Sequence, residues 1–341
     1  MSPSAIEDSI TTTRVADPIV LSLRDTLTSE SSSLALRFRA LFSLKHLASL
    51  HPPSAQTLSA IDAIAAAFSS PSALLKHELA YCLGQTRNSA AVPYLRDRLE
   101  DRNEDAICRH EAAEALAALG DKDSLELLRR MKDEDEEVVV RETCEIAVER
   151  IEWEHSGRRE AEKLKKSDFS SIDPAPPMPQ TEDSTSIPDL EASLLDTKLP
   201  LFQRYRAMFA LRDLSSPPDL PTAIPAVLAL AKGFRDSSAL FRHEIAFVFG
   251  QLSHPASIPS LIKTLDDLEE ASMVRHEAAD ALGSMGDEEG VEDVLKKYLD
   301  DPDTIVRESA IVALDMAEFE KSGQLEYALV PDAGQTLEVQ S

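Results

Sequence analysis

From Pro18 onward, apolar residues recur three and four positions apart, beginning with Ile19, Leu21, Leu23 and Leu27. That spacing keeps them on one face of an α-helix. A second helix is predicted over 36–50. Further along, the chain reads as units of a first helix, a polar turn and a second helix. Residues 90–99 form one first helix, 101–105 its turn, and 107–119 the second helix. Gly120 follows the last apolar residue, where glycine commonly ends a helix. A fourth unit occupies 124–151. Alternating strand-type patterning is absent from this reading, so the predicted class is all-α.

The units repeat. Arg109-His110-Glu111-Ala112-Ala113-Glu114-Ala115-Leu116 recurs as Arg275-His276-Glu277-Ala278-Ala279-Asp280-Ala281-Leu282. Lys76-His77-Glu78-Leu79-Ala80-Tyr81 recurs as Arg242-His243-Glu244-Ile245-Ala246-Phe247. His77 and His110 stand 33 residues apart, as do His243 and His276, and the two sets are offset by 166. A short helical period inside a long duplication predicts HEAT-like hairpin repeats, four per half. The first and fourth units of each half lack the His-Glu pair, with Val140-Arg141-Glu142 and Val306-Arg307-Glu308 in the fourth. Arg37-Phe38-Arg39-Ala40-Leu41-Phe42 is echoed by Arg204-Tyr205-Arg206-Ala207-Met208-Phe209 at an offset of 167, so one residue was gained or lost between copies.

The halves are expected at 18–153 and 187–320, after a disordered leader at 1–17 and before a loose tail at 321–341. Between them, 154–186 is rich in Lys, Ser, Pro and acidic residues, and reads as a flexible linker. A coil of that length spans roughly 30 Å, enough to let the halves face each other.

Composition narrows the function. The net charge is −26, which opposes direct binding of nucleic acid and suits a cationic ligand. No apolar run approaches the roughly 20 residues that span a bilayer, so no membrane role is expected. The start of the chain carries no signal-peptide core. Three cysteines without Cys-x-x-Cys spacing suit reduced thiols in a cytoplasmic protein, and a monomer is expected.

The histidines share one helical phase. Each residue turns the helix by about 100°. With His110 at zero, Ala112, Ala115, Leu116 and Leu119 gather on the far side. The same holds for the residues opposite His77, His243 and His276. Each histidine therefore points away from its helix's apolar stripe, and each following glutamate sits at the stripe's edge. Seven residues beyond each histidine stands Gly84, Ala117, Gly250 or Gly283. Such small residues are expected to leave room for an occupant above the histidines. A lone His-Glu pair is usually a solvated helix start, but four pairs in one register count against that reading. Glu114 and Asp280 lie one turn on, about 40° round from their histidines.

Adjacent packed helices lie about 8–10 Å apart, so histidines on two of them can reach one ion. Imidazole with carboxylate suits iron, manganese or zinc, and two histidines with one carboxylate suit oxygen-activating ferrous sites. No His-Glu-x-x-His is present, which excludes a zincin on that signature. No Glu-x-x-His pairing occurs in these helices, which sets aside the ferritin-like bundle.

Taken together, the four motifs resemble deoxyhypusine hydroxylase (deoxyhypusine monooxygenase), over about 19–153 and 187–320. The resemblance implies two pseudo-symmetric halves facing each other across a non-haem di-iron centre. The enzyme would hydroxylate a deoxyhypusine side chain on a translation initiation factor, with O₂ as co-substrate. By the family's pattern, His77, His110 and Glu111 would hold one iron, and His243, His276 and Glu277 the other. Glu78 and Glu244 would be the catalytic carboxylates, free to bind the substrate's amines. By their helical phase, Glu114 and Asp280 either join that lining, hydrogen-bond the ligands from behind, or are simply solvated carboxylates. A two-metal hydrolase and a HEAT-type scaffold or bilin-lyase-like protein are the alternatives, and metal content separates the three.

Overall fold

The computed structural model describes residues 17–162, 164, 167–179 and 186–322. The predicted leader, apart from Asp17, and the predicted tail, apart from Lys321 and Ser322, lie outside the described residues. Among those residues there are helices and no strand. The first half contains α1 (Pro18–Thr28), α2 (Leu34–Ala48), α3 (Ala55–Ala66), α4 (Ala73–Gln85), α5 (Val92–Glu100), α6 (Ala106–Ala118), α7 (Leu125–Glu134) and α8 (Val138–His155). A short α9 (Arg158–Glu162) follows. The second half contains α10 (Ile187–Leu195), α11 (Leu201–Leu214), α12 (Ala223–Ala231), α13 (Ala239–Leu252), α14 (Ile258–Asp266), α15 (Ser272–Gly283), α16 (Val291–Leu295) and α17 (Thr304–Ser322).

Local chemistry sets the boundaries. Ser72, Asp105 and Ser238 accept backbone N–H bonds at the starts of α4, α6 and α13, covering donors that a helix start leaves unpaired. Gly120 takes a φ of 66° just after α6. Within each half, the apolar faces of outer and inner helices meet in one core. Leu79 and Leu83 of α4 and Ile245 and Phe249 of α13 are fully buried. Each such side chain contributes about 1.5–3 kcal/mol.

The inner helices are α2, α4, α6 and α8, then α11, α13, α15 and α17. Each packs on the next, α8 meets α11, and α17 returns to α2, so the eight form a closed ring. The cation before each histidine ties neighbouring repeats together. Lys76 pairs with Glu104, Arg109 with Asp135, Arg242 with Glu270 and Arg275 with Asp301, each time reaching the turn of the next repeat.

The fourth units do more than cap a stack. Ser72 Oγ donates to Glu308 Oε2 at 2.6 Å, and Ser238 Oγ donates to Glu142 Oε2 at 2.7 Å. These two bonds are pseudo-symmetric copies, each joining one half to the other. The glutamate of a unit without histidine thus latches the opposite half. Arg39 adds a two-pronged contact to Asp315, with Nη2 2.7 Å from Oδ1.

Two expectations need correction. The small residues seven on from the histidines do not make room for an occupant. A Cβ on Gly84 would fall 2.7 Å from Ala115 Cα, and one on Gly283 would fall 2.8 Å from Ala313 Cα. They are where the next inner helix crosses closely. The linker also differs from flexible coil along 167–178. Pro174, Ala175 and Pro176 are buried. Arg206 donates to the Pro176 and Pro177 carbonyls, and Arg212 Nη1 lies 2.8 Å from Asp173 Oδ2. Proline content suggested coil, but buried arginines on α11 supply donors that hold this strap down.

The glycine contacts predict a difference in sign. In an ordinary helix interior Gly→Ala gains about 0.5–1 kcal/mol. Gly84→Ala should instead destabilise by about 1–3 kcal/mol, because overpacking outweighs propensity. Its counterpart Gly250 has 3.4 Å of clearance to Ala281 Cα, so Gly250→Ala should be neutral or stabilising. Urea unfolding of both variants checks this, and equal shifts in the same direction would refute the packing account.

Candidate metal centre

Closing the ring brings the four histidine helices, α4, α6, α13 and α15, around one point. His77 lies 5.4 Å from His110, 6.0 Å from His243 and 5.2 Å from His276, centroid to centroid. His243 lies 5.4 Å from both His110 and His276. His110 and His276 are completely buried, and His77 and His243 nearly so. The side of each helix opposite its apolar stripe therefore faces the other half, not solvent.

Carboxylates surround the rings. His77 Nε2 is 3.3 Å from Glu111 Oε2, and His243 Nε2 is 3.3 Å from Glu277 Oε2. Glu78 Oε1 is 3.4 Å from His77 Nδ1, and Asp280 Oδ2 is 3.6 Å from His276 Nδ1. None of these contacts is aligned as a hydrogen bond. All eight imidazole nitrogens are buried without a hydrogen-bond partner, as are Glu244 Oε1 and Asp280 Oδ1. Buried polar atoms are nearly always paired, so eight unpaired nitrogens at one point call for a ligand that accepts nitrogen and carboxylate donors.

The groupings of donors cross the halves. His243, His276 and Glu277 form one group of donors, whereas His77, His110 and Glu111 are split between two. His77 and His110 group with His243, and Glu111 groups with His110 and Glu114. The six expected ligands thus form one cluster. A cavity of about 250 Å³ adjoins it, lined by His77, His243 and all of Glu78, Glu111, Glu114, Glu244, Glu277 and Asp280.

Electrostatics follow from this crowding. Burial and neighbouring imidazoles push His110 and His276 well below the usual histidine range. Burial would do the same to His77, but Glu111 and Glu78 outweigh it and raise its proton affinity. Burial lifts Glu114, Glu244 and Asp280 well above the usual carboxylate range, with nearby carboxylates adding to the effect.

The cavity also has apolar walls that the sequence reading left out: Phe38, Phe42, Tyr81, Phe247, Val312 and Met316, with Lys45. Tyr81 and Phe247 meet edge to face, their centroids 6.1 Å apart. Both stand four residues after a histidine, one turn on and on nearly the same side. That spacing was available in the sequence as a signal. A wider cavity of about 620 Å³ continues past Phe42, Lys45, Tyr81 and Met316.

Known proteins resemble this chain in sequence and fold. A model of HEAT repeats matches residues 61–149 and 224–315. A deoxyhypusine hydroxylase of Phaeosphaeria nodorum is 73% identical over 318 residues, covering 93% of this chain and 97% of its own length. The chain belongs to the deoxyhypusine hydroxylase family. The deoxyhypusine hydroxylase of Aspergillus fumigatus is 68% identical over 335 residues, 98% of this chain and 99% of its own. The structure of human deoxyhypusine hydroxylase in complex with glycerol superposes with a TM-score of 0.77 at 43% identity, covering 88% of this chain and 96% of that one. Among the described residues, no helix is long and apolar enough to cross a membrane.

The unpaired nitrogens predict linkage between metal and stability. Ferrous ion added anaerobically to metal-free protein, at about a hundredfold its Kd, should stabilise the fold by about 2.7 kcal/mol. That corresponds to a rise in Tm of about 4 °C in a protein of this size. His110→Ala and His276→Ala should lose most of the rise. A metal-free protein whose Tm ignores the ion would contradict the site.

Proposed function

We propose that this chain is an iron-dependent monooxygenase that hydroxylates the deoxyhypusine side chain of a translation initiation factor. The observation that carries the proposal is the set of eight unpaired imidazole nitrogens beside a cavity walled by six carboxylates. The donors fit iron, because two imidazoles and one carboxylate per ion leave positions open for other ligands. His77, His110 and Glu111 would hold one ion, and His243, His276 and Glu277 the other. When bound, the irons would supply the binding and activation of O₂.

The chain's own residues do the rest. Deoxyhypusine carries two cationic amines on a long aliphatic stem. Glu78 and Glu244, with Glu114 and Asp280, offer carboxylates to the amines. A buried carboxylate without a partner is costly, and an ammonium group relieves that cost. Phe42, Val312 and Met316 give the stem an apolar wall. Tyr81 and Phe247 cover the histidine cluster and keep water away from it. The factor's side chain reaches the site while the rest of it stays outside, in the wider groove. We read the enzyme as a cytoplasmic monomer. Its three thiols are free and buried, and its terminal repeats are already spent on each other in closing the ring.

Two predictions test this reading. Replacing any one of His77, His110, His243 or His276 by Ala should lower iron per chain and abolish turnover, because each ion has only about three protein ligands. Undiminished iron in His110→Ala would sink the ligand assignment. Glu78→Ala and Glu244→Ala should keep their iron but weaken binding of the deoxyhypusine-bearing factor by at least about 2 kcal/mol, as truncating a buried charge partner does. Iron content and affinity measured together decide it. Loss of iron with affinity retained would make these two glutamates the ligands and move Glu111 and Glu277 to the substrate.

A further inference from the structure

The duplication builds two equivalent approaches to the histidine cluster. One is bordered by Phe42 and Lys45 of α2 and Met316 of α17. At offsets of 167 and 166, their counterparts are Phe209 and Arg212 of α11 and Arg150 of α8. The two sets differ in burial. Phe42 and Lys45 are half-buried, whereas Phe209 and Arg212 are 0% exposed; Met316 and Arg150 are both half-buried.

The strap is what covers the second approach. The Arg212 guanidinium lies 4.3 Å from the Phe169 ring and 4.8 Å from the Phe209 ring. It pairs with Asp173, and it donates to Gln251, which in turn donates to Ser171 Oγ at 2.7 Å. Gln85, the counterpart of Gln251, holds the strap from the other half. It accepts from Ile172 N–H at 2.8 Å and donates to Ile172 O at 3.3 Å. The strap is therefore fixed at the pseudo-twofold by both glutamines, and its bulk lies on the Arg212 side. On the Lys45 side only Ser170 and Ser171 reach the groove, as one of its banks.

We propose that the strap plugs one of two pseudo-symmetric approaches, so that substrate reaches the histidine cluster only past Phe42, Lys45 and Met316. This rests on the functional reading above. The open approach suits the substrate. Its aromatic and thioether walls take an aliphatic stem. Lys45 Nζ, 5.1 Å from the Tyr81 ring centroid, holds the place of an incoming ammonium on that aromatic face.

Labelling each approach in turn tests the proposal. Met316→Cys and Phe169→Cys are each coupled to a bulky maleimide, which the three buried native cysteines escape. Binding of a capped peptide carrying deoxyhypusine is then measured, with each unlabelled variant as its reference. The label on Met316→Cys should weaken binding at least tenfold, and the label on Phe169→Cys should change it less than twofold. Adding Phe169→Gly and Asp173→Gly to the labelled Met316→Cys protein should restore binding at least threefold. If that combination does not fold, Phe169→Ala alone takes its place. Binding that survives the Met316→Cys label, equal loss from both labels, or no recovery on removing the plug would each overturn the proposal. Unsubstituted protein that cannot bind the peptide would instead sink the functional reading.

Discussion

The hydrogen bonds from Ser72 to Glu308 and from Ser238 to Glu142 join the halves, and the site exists only when the halves are joined. Neither half alone gathers four imidazoles. Each presents two histidines on a face that, without its partner, would meet water. Closing the ring buries those faces and concentrates six carboxylates in a cavity of about 250 Å³. Bringing like charges together in that way is unfavourable. The apolar cores and the cation ladder at the repeat turns offset it, and neither lies at the site. Breaking one ladder pair, such as Arg275 with Asp301, leaves a buried charge at a cost of about 3–5 kcal/mol. The scaffold is held rigid from outside so that the centre can stay crowded with carboxylates and short of hydrogen bonds.

Much of this was legible from spacing. The 33-residue period and the 166-residue duplication show hairpin repeats in two halves. The helical phase of His77, His110, His243 and His276 shows that they share a side. The ring itself was not legible, because phase describes one helix and closure depends on which helices meet. For the same reason Gly84 and Gly283 were misread. A wheel shows that a position is small and near the histidine, but not that a neighbouring backbone fills the gap. The arginine or lysine before each histidine had a regular place in every motif, yet its partner lies 26 or 28 residues on. No local pattern connects the two. The strap was hidden by composition. Proline and serine read as coil, while the buried Arg206 and Arg212 that hold it down sit in another helix.

The cluster leaves its charge unbalanced by design of its neighbours. Among the described residues, Lys45 is the single lysine or arginine lining the inner cavity. Burial lifts Glu114, Glu244 and Asp280 toward their neutral forms. A dicationic side chain reverses that tendency, since each ammonium favours an ionised carboxylate. Binding energy and site ionisation are thereby coupled. A neutral chain of the same length would gain the apolar contacts but leave the carboxylates without partners. This discriminates more strongly than fit alone, because a polar site left unpaired costs more than a missing methylene.

Duplication explains how the site was built, and broken symmetry explains how it is used. Two copies of one hairpin array supply matched His-Glu pairs, matched latches and a facing pair of rings, Tyr81 and Phe247. A symmetric cavity would open equally on both sides, and a substrate with distinct ends needs a single orientation. The differences fall where orientation is set. Lys45 faces a groove where Arg212 is buried under Phe169, and Met316 stands where its counterpart is Arg150. Glu114 is matched by the shorter Asp280. The ligand positions themselves are unchanged between halves. Around the cluster the four His-Glu pairs are kept while the walls and the covering strap differ, as expected if the pairs carry the chemistry and the walls select what reaches them.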